Sequence, residues 1–175
     1  MDIDKSTQEK LNNLKKVLPK SKEEKLKSPF ELFGVECGKG WHKFILPVFE
    51  FIEKYNNEHE GESRIIVDQV KEKWGYLEIY VSFENVPDDV VKETYRLIGV
   101  ARKEASETCE FCGSKENVGY VLNNWNLTIC EDCLHKRLKD REEWFGTEQS
   151  SIWKRLSDGK KFDVTKDTIE ERNGN

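Results

Sequence analysis

The stretch Tyr76-Leu77-Glu78-Ile79-Tyr80-Val81 decides the fold class of this chain of 175 residues. Its side chains alternate along the stretch, so that Leu77, Ile79 and Val81 share one face of a β-strand. The segment from Arg64 onward is also rich in β-branched residues, which favour strands. Gly75 lies between the two segments and supplies the backbone freedom that a tight turn requires. We therefore predict a β-hairpin over residues 64–81.

Helical spacing of apolar residues flanks the predicted hairpin on both sides. Before it, apolar residues recur from Trp41 to Tyr55, and Pro47 either sets the start of this helix or kinks it. After it, Pro87-Asp88 begins a second helix that leads towards Cys109. Helix, hairpin and helix predict an α+β layer. Because a two-stranded sheet alone is marginal, residues 30–36 could add a third strand.

Two Cys-x-x-Cys pairs follow the second predicted helix, within Cys109-Glu110-Phe111-Cys112-Gly113 and Cys130-Glu131-Asp132-Cys133. This spacing is that of a two-knuckle zinc lobe, because two residues between cysteines let one tight turn aim both sulfurs at one ion. We predict one structural Zn²⁺, held by Cys109, Cys112, Cys130 and Cys133, and the alternative is four unliganded thiols. Four protein thiolates leave no coordination position open for water or substrate, so the predicted site is not catalytic.

Three other residues deserve weighing as ligands. His135 could replace Cys133 as the fourth ligand, although an ordinary surface histidine is the preferred interpretation. Cys37 and His42 lie five residues apart beside two glycines and resemble a half-site without partners. A buried free thiol and a histidine at a helix start are the preferred interpretations of that pair.

The chain divides by composition into four predicted segments. Residues 1–28 form a flexible Lys-rich N-terminus, and residues 29–107 form the α+β domain. Residues 108–146 form a zinc-ribbon-like lobe that ends in a C-terminal helix, and residues 147–175 form a largely flexible tail. A small zinc lobe has too little apolar surface to fold alone, so metal binding should supply much of its folding free energy.

The amino-acid composition limits the kinds of function that the chain can have. With 29 basic and 34 acidic side chains the formal net charge is −5, which does not predict a dominant nucleic-acid footprint. No apolar run is long enough to cross a membrane, and the charged start lacks the apolar stretch of a signal peptide. Paired cysteines in a reducing compartment are better explained by metal than by disulfides. We expect a cytoplasmic protein without membrane segments.

Five side chains form a candidate interaction surface. Lys71, Lys73, Trp74 and Tyr76 lie at the end of the predicted hairpin, where the alternative is a solvated strand end. Trp125 lies between the two cysteine pairs and could stack on a base or pack inside the zinc lobe. Core packing is favoured for Trp125, because a small zinc lobe needs an aromatic residue.

Four features together resemble a group of uncharacterised small proteins from phages and prophages, over about residues 30–135. They are Gly40-Trp41 followed by an apolar helix, the stretch Gln69-Val70-Lys71-Glu72-Lys73-Trp74-Gly75-Tyr76-Leu77 with Tyr80, the stretch Thr108–Gly113, and the closing cysteine pair. In that group the last ligand often looks like histidine, whereas Cys133 stands there in this chain. The resemblance implies a phage or prophage origin and a small interaction protein, one that acts on a bacterial host or defence protein.

Three functions follow from these observations. The first is a non-enzymatic, zinc-containing protein-interaction module, because no nucleophile and base arrangement is visible. The second is a nucleic-acid-binding zinc protein, suggested by Lys136-Arg137-Leu138-Lys139 and opposed by the acidic net charge. The third is an enzyme such as a His-Asn-His nuclease, but only His135 lies near the cysteine pairs. A deaminase is disfavoured, because no His-x-Glu precedes a Pro-Cys-x-x-Cys sequence.

Overall fold

A computed structural model describes residues 28–123 and 125–172 of an α+β protein. The helices are α1 (Pro29–Phe33), α2 (His42–Glu58), α3 (Asp88–Ser106) and α4 (Glu131–Phe145), and a 3₁₀ turn spans Lys39–Trp41. The strands are β1 (Val35–Glu36), β2 (Arg64–Lys73), β3 (Tyr76–Glu84), β4 (Val118–Val121), β5 (Thr128–Cys130), β6 (Ser151–Arg155), β7 (Lys161–Val164) and β8 (Ile169–Glu171). The flexible N-terminus predicted for residues 1–28 lies, apart from Ser28, outside the described residues.

The predicted hairpin is confirmed as the antiparallel pair β2 and β3, in which Lys73 faces Tyr76. Trp74 and Gly75 form its two-residue turn, with φ angles of 57° and 81°. Positive φ at both positions defines the turn type that matches the twist of paired strands. The third strand is β1, which pairs in parallel with β2, while Pro29–Phe33 is helical.

Helices α2 and α3 pack on this sheet and on each other, and together they enclose the first hydrophobic core. Leu77 and Ile79 are buried there, as the alternation predicts. The buried Asn56 side chain of α2 both accepts a hydrogen bond from the Ile65 N–H and donates one to the Ile65 carbonyl, each at 2.9 Å. Helix α2 begins at His42 and continues through Pro47, so the proline does not set the helix start.

A second, five-stranded sheet has the order β5-β4-β6-β7-β8, and it corrects the tail predicted for residues 147–175. Three of its strands come from that segment, which was expected to be largely flexible because of its polar composition. Trp153, Phe162 and Val164 are buried in the second core with residues of the cysteine region. The polar composition leads to the wrong prediction because alternate side chains of a β-strand point away from the core and can be polar. A few apolar residues on the other face are enough to form a small core.

The predicted C-terminal helix is α4, whose N-cap residue is Cys130 and which ends at Gly146 with a left-handed φ of 66°. Its buried side chains Leu134 and Leu138 face the second core. Among residues 28–123 and 125–172, no helix has the length and apolar character needed to cross a bilayer.

Candidate metal centre

Three parts of the chain bring the four cysteines to one point. Cys109 follows α3 and Cys112 lies in the next turn, while Cys130 ends β5 and Cys133 lies in the first turn of α4. All four sulfur atoms lie within 4.8 Å of one another, and the Sγ atoms of Cys112 and Cys130 are 3.6 Å apart. The four cysteines therefore lie together and could hold a metal ion.

The spacing of the sulfur atoms fits a tetrahedral ion. Metal–sulfur bonds of about 2.3 Å place two ligands of a tetrahedron about 3.8 Å apart, close to the separation of Cys112 and Cys130. A disulfide would bring two sulfurs to about 2.05 Å, and all four cysteines are free thiols. A set of four sulfur donors is typical of zinc or of iron.

The thiols cannot all ionise without a cation. A hydrogen bond from Cys130 lowers the pKa of the Cys109 thiol, and backbone N–H groups at Phe111, Cys112 and Cys130 also favour its thiolate. The same contact raises the pKa of Cys130, and burial raises the pKa of Cys133. Like charges this close oppose each other, so a bound divalent cation is what would allow all four to deprotonate.

The first cysteine turn is packed against the glycine-rich turn of the α+β lobe. The Gly40 N–H donates to the Glu110 carbonyl at 2.8 Å, and the Trp41 indole donates to the Thr108 carbonyl at 2.8 Å. A Cβ atom on Gly40 would overlap the backbone of Cys109, Glu110 and Gly113. Glycine is therefore required here for close backbone approach.

Glu110 adds a buried carboxylate to this contact. Its Oε1 accepts a hydrogen bond from the Gly38 N–H at 2.8 Å, while its Oε2 has no partner among the described residues. Burial raises the pKa of the Glu110 carboxyl to about 7, although the Gly38 hydrogen bond opposes that shift. Glu110 therefore links the two lobes. The sequence does not predict this role, because a glutamate between two cysteines is equally compatible with an exposed side chain.

The tip of the β2–β3 hairpin makes a second contact with the cysteine lobe. The Tyr120 hydroxyl donates to the Trp74 carbonyl, and the Thr128 hydroxyl donates to the Gly75 carbonyl at 2.7 Å. Glu72 accepts a hydrogen bond from the Gly75 N–H at 2.6 Å. The sequence feature Lys-Glu-Lys-aromatic-Gly therefore includes residues that dock the hairpin on β4 and β5.

The candidate interaction residues fall into two groups. The Trp74 side chain is 67% exposed beside the half-exposed Tyr76, whose ring lies 6.0 Å from that of Tyr120. Lys71 lies over the Tyr80 ring at 5.6 Å, and Lys73 ends β2 with its side chain exposed. Trp125 contacts α4 instead. Whether either group binds a partner stays a prediction.

Trp125 does not fill the core of the cysteine lobe, contrary to expectation. Its side chain is 57% exposed, whereas Trp153 is 0% exposed. The Trp153 indole donates to the Ile129 carbonyl at 3.1 Å, and its ring covers Gly119 so closely that a Cβ atom there would overlap it. The lobe does use an aromatic residue, but β6 supplies it from the segment expected to be flexible.

The remaining candidates lie outside the cysteine cluster. The His135 ring contacts the Lys166 carbonyl at 3.0 Å. Cys37 is half-buried, and burial raises its thiol pKa. His42 is buried, and burial lowers its pKa against the opposing effect of a backbone interaction at Cys37. In that part of the chain, only the four cysteines form a group that could hold a metal.

The site and fold define an α+β protein with a four-cysteine cluster in its second lobe, which consists of the cysteine turn after α3, strands β4 to β8 and helix α4. No family model matches the chain, and the searches of curated proteins and of solved structures found no match.

Proposed function

We propose that the chain is a non-enzymatic protein-interaction module whose second lobe is stabilised by one structural zinc ion. The observation that carries the proposal is the closed cluster of four thiols, which leaves no metal position for a substrate. Zinc is favoured over iron because the knuckle spacing is that of structural zinc lobes. The role of the ion is to hold β5, α4 and the first cysteine turn together.

The contacts between the lobes support a binding role. Backbone atoms of the Gly38–Gly40 turn and of the hairpin tip dock on the cysteine lobe, so the metal would fix the surface that both lobes present. The two best-formed pockets among the described residues have volumes of about 30 and 220 Å³. Both volumes are smaller than those of typical ligand pockets, which begin at about 300 Å³. An extended surface suits a protein partner better than a small substrate.

The resemblance to small phage and prophage proteins supports a narrower form of the proposal. In that form the chain is encoded by a phage or prophage and binds a host or defence protein in the bacterial cytoplasm. A reducing compartment agrees with paired cysteines that bind metal.

A nucleic-acid-binding role is the second candidate function. It is favoured by the arginines Arg137 and Arg141, which form no ion pair within the described residues. Mobility shifts at increasing salt test it, because binding through phosphate contacts weakens steeply as salt rises. The formal net charge of −5 opposes it.

Affinity capture tests the interaction module. Tagged wild-type chain and a Cys109→Ser variant are incubated with bacterial lysate, and bound proteins are quantified by mass spectrometry. We expect a protein that the wild type enriches and the variant does not, and no hydrolysis of RNA, DNA or nucleotides by the purified wild type. Hydrolysis together with no enriched protein would contradict the proposal.

A further inference from the structure

Two arginines of α4 and three aromatic rings alternate along one surface of the second lobe. The Arg137 guanidinium lies 5.4 Å from the ring centre of Phe111 and 5.3 Å from that of Trp125. The Arg141 guanidinium lies 5.2 Å from Trp125 and 5.4 Å from Phe145. We name this row, Phe111, Arg137, Trp125, Arg141 and Phe145, the arginine–aromatic ladder.

Local structure explains why the ladder is ordered. Arg137 and Arg141 are four residues apart, so they are neighbours on one side of α4. The buried residues Leu134 and Leu138 fix that helix against the second core. A guanidinium that lies on an aromatic face is held in orientation by cation–π attraction, so less freedom is lost when it binds a partner.

The ladder arginines keep their hydrogen-bonding capacity. Within the described part of the chain, neither guanidinium forms a hydrogen bond or an ion pair. The Arg137 charge does lie near enough to Glu110 to oppose the rise in the pKa of that carboxyl. Other arginines there do so: Arg96 pairs with Glu93, and Arg102 pairs with Glu78. A guanidinium that lies against a ring still presents its N–H edge, and that edge matches the two oxygens of a carboxylate.

Exposed aromatic rings surround these two charges. Trp144 is 87% exposed, and Phe145, Trp125 and Phe111 are 62%, 57% and 38% exposed. Trp144 follows Arg141 by three residues and therefore lies on the same side of α4. Aromatic residues and arginine are the types enriched where proteins bind proteins.

We propose that the arginine–aromatic ladder is the docking surface for an acidic protein segment. Carboxylates of the segment pair with the edges of Arg137 and Arg141, and an apolar side chain packs on the exposed rings of Trp144 and Phe145. This inference rests on the proposed function and names the chemistry of the partner. Charge complementarity carries it, because two guanidiniums that form no ion pair within the described residues lie side by side against aromatic rings.

Single-stranded nucleic acid fits the ladder less well. Base stacking needs open ring faces, whereas the Trp125 ring already lies against two guanidiniums. A phosphate backbone also needs a continuous track of positive charge, whereas the ladder offers two guanidiniums. A short acidic segment needs only the two guanidiniums.

Selection from a peptide display library tests the proposal on the full, zinc-loaded chain. We expect the selected peptides to carry Asp or Glu beside apolar residues. Arg137→Ala and Arg141→Ala should each weaken their binding by about tenfold or more, as loss of one partner of a charged pair does. Arg96→Ala is the matched control, because it removes the same charge from an exposed site on α3 and should leave binding unchanged.

Zinc content and thermal unfolding of each variant should equal those of the wild type, which separates lost contacts from misfolding. Selected peptides without carboxylates, or equal binding by the Arg137→Ala and Arg96→Ala variants, would overturn the ladder proposal. So would a labelled single-stranded oligonucleotide that binds through both arginines and is not displaced by the peptides.

The two proposals fail in different ways. A lysate protein that wild type and both ladder variants capture equally would remove the ladder as the docking surface and leave the interaction module standing. Absence of any peptide or protein ligand, together with hydrolysis of nucleic acid, would remove both.

Discussion

Replacing Trp153 by alanine should unfold the second lobe while the first core stays folded. The side chain is 0% exposed, and a buried aromatic removes about 200 Å² from water. At about 25 cal/mol per Å² this burial contributes about 5 kcal/mol, which agrees with the about 3–5 kcal/mol lost in comparable substitutions. The Ile129 carbonyl would also lose its hydrogen bond from the indole, at a cost of about 1 kcal/mol.

Hydrogen exchange of the metal-loaded protein, resolved by peptide, measures this effect. Amides of β4, β5 and β6 should exchange faster in Trp153→Ala by a factor that corresponds to about 4–5 kcal/mol, and amides of β2 and β3 should change little. Trp125→Ala is the matched control, because its exposed ring contributes at most about 1 kcal/mol through cation–π contacts. A loss below about 1 kcal/mol in Trp153→Ala, equal to the control, would refute the structural role assigned to the C-terminal strands.

Three further predictions concern the contact between the lobes and the metal. Gly40→Ala should destabilise the protein by about 2 kcal/mol or more, because its Cβ would overlap the backbone of three residues. Gly99→Ala in α3 is the control: a Cβ there meets nothing within 4 Å and should stabilise the protein by about 0.5–1 kcal/mol. Equal thermal shifts in the two variants would contradict this prediction. Glu110→Ala should lower the free energy of unfolding, measured with denaturant, by about 1–3 kcal/mol, because the Gly38 N–H loses its acceptor. Glu110→Gln can keep that hydrogen bond and should lose less. Identical losses in the two variants would argue against the role of this hydrogen bond. Removal of metal by a chelator should abolish exchange protection in β5 and the start of α4 but not in β2, and uniform protection after chelation would show that the lobe folds without metal.

The sequence predicts those parts of the structure that rest on local rules. The alternation in Tyr76–Val81 and the freedom of Gly75 predict the hairpin, because strand faces and turn angles depend on neighbouring residues. The two Cys-x-x-Cys pairs predict the cluster for the same reason, since each pair is a local turn.

The features that were missed depend on contacts between distant segments. Trp153 could not be assigned to the second core, because its partners Gly119 and Ile129 lie more than twenty residues away. The sequence contains one signal of burial: Trp153 and Phe162 are aromatic residues in an otherwise polar segment, and a flexible tail would not require them. The preference for Trp125 as the core residue came from its position between the cysteine pairs, and sequence proximity does not report burial.

The contact between Glu110 and the Gly38–Gly40 turn was also hidden. Glu110 lies in a cysteine turn and is of a residue type that is usually exposed to solvent. It is nevertheless buried, and it accepts a hydrogen bond from Gly38, which lies 72 residues earlier. The two glycines gave a usable signal, because paired glycines before a helix indicate that another backbone comes close. Arg137 is visible in the sequence only as part of the basic run Lys136–Lys139, and nothing in the sequence singles out Arg141, because Trp125 and Phe111 meet these arginines only in the folded chain.

Metal analysis of the purified chain and of its cysteine variants tests the central claim most directly. We predict one zinc per wild-type chain. In both Cys109→Ser and Cys130→Ser the metal should be lost and residues from about 107 to 135 should unfold, because three thiolates and a hydroxyl cannot replace the closed set. Stoichiometric zinc retained by both variants, or a wild-type chain that holds no zinc, would contradict it.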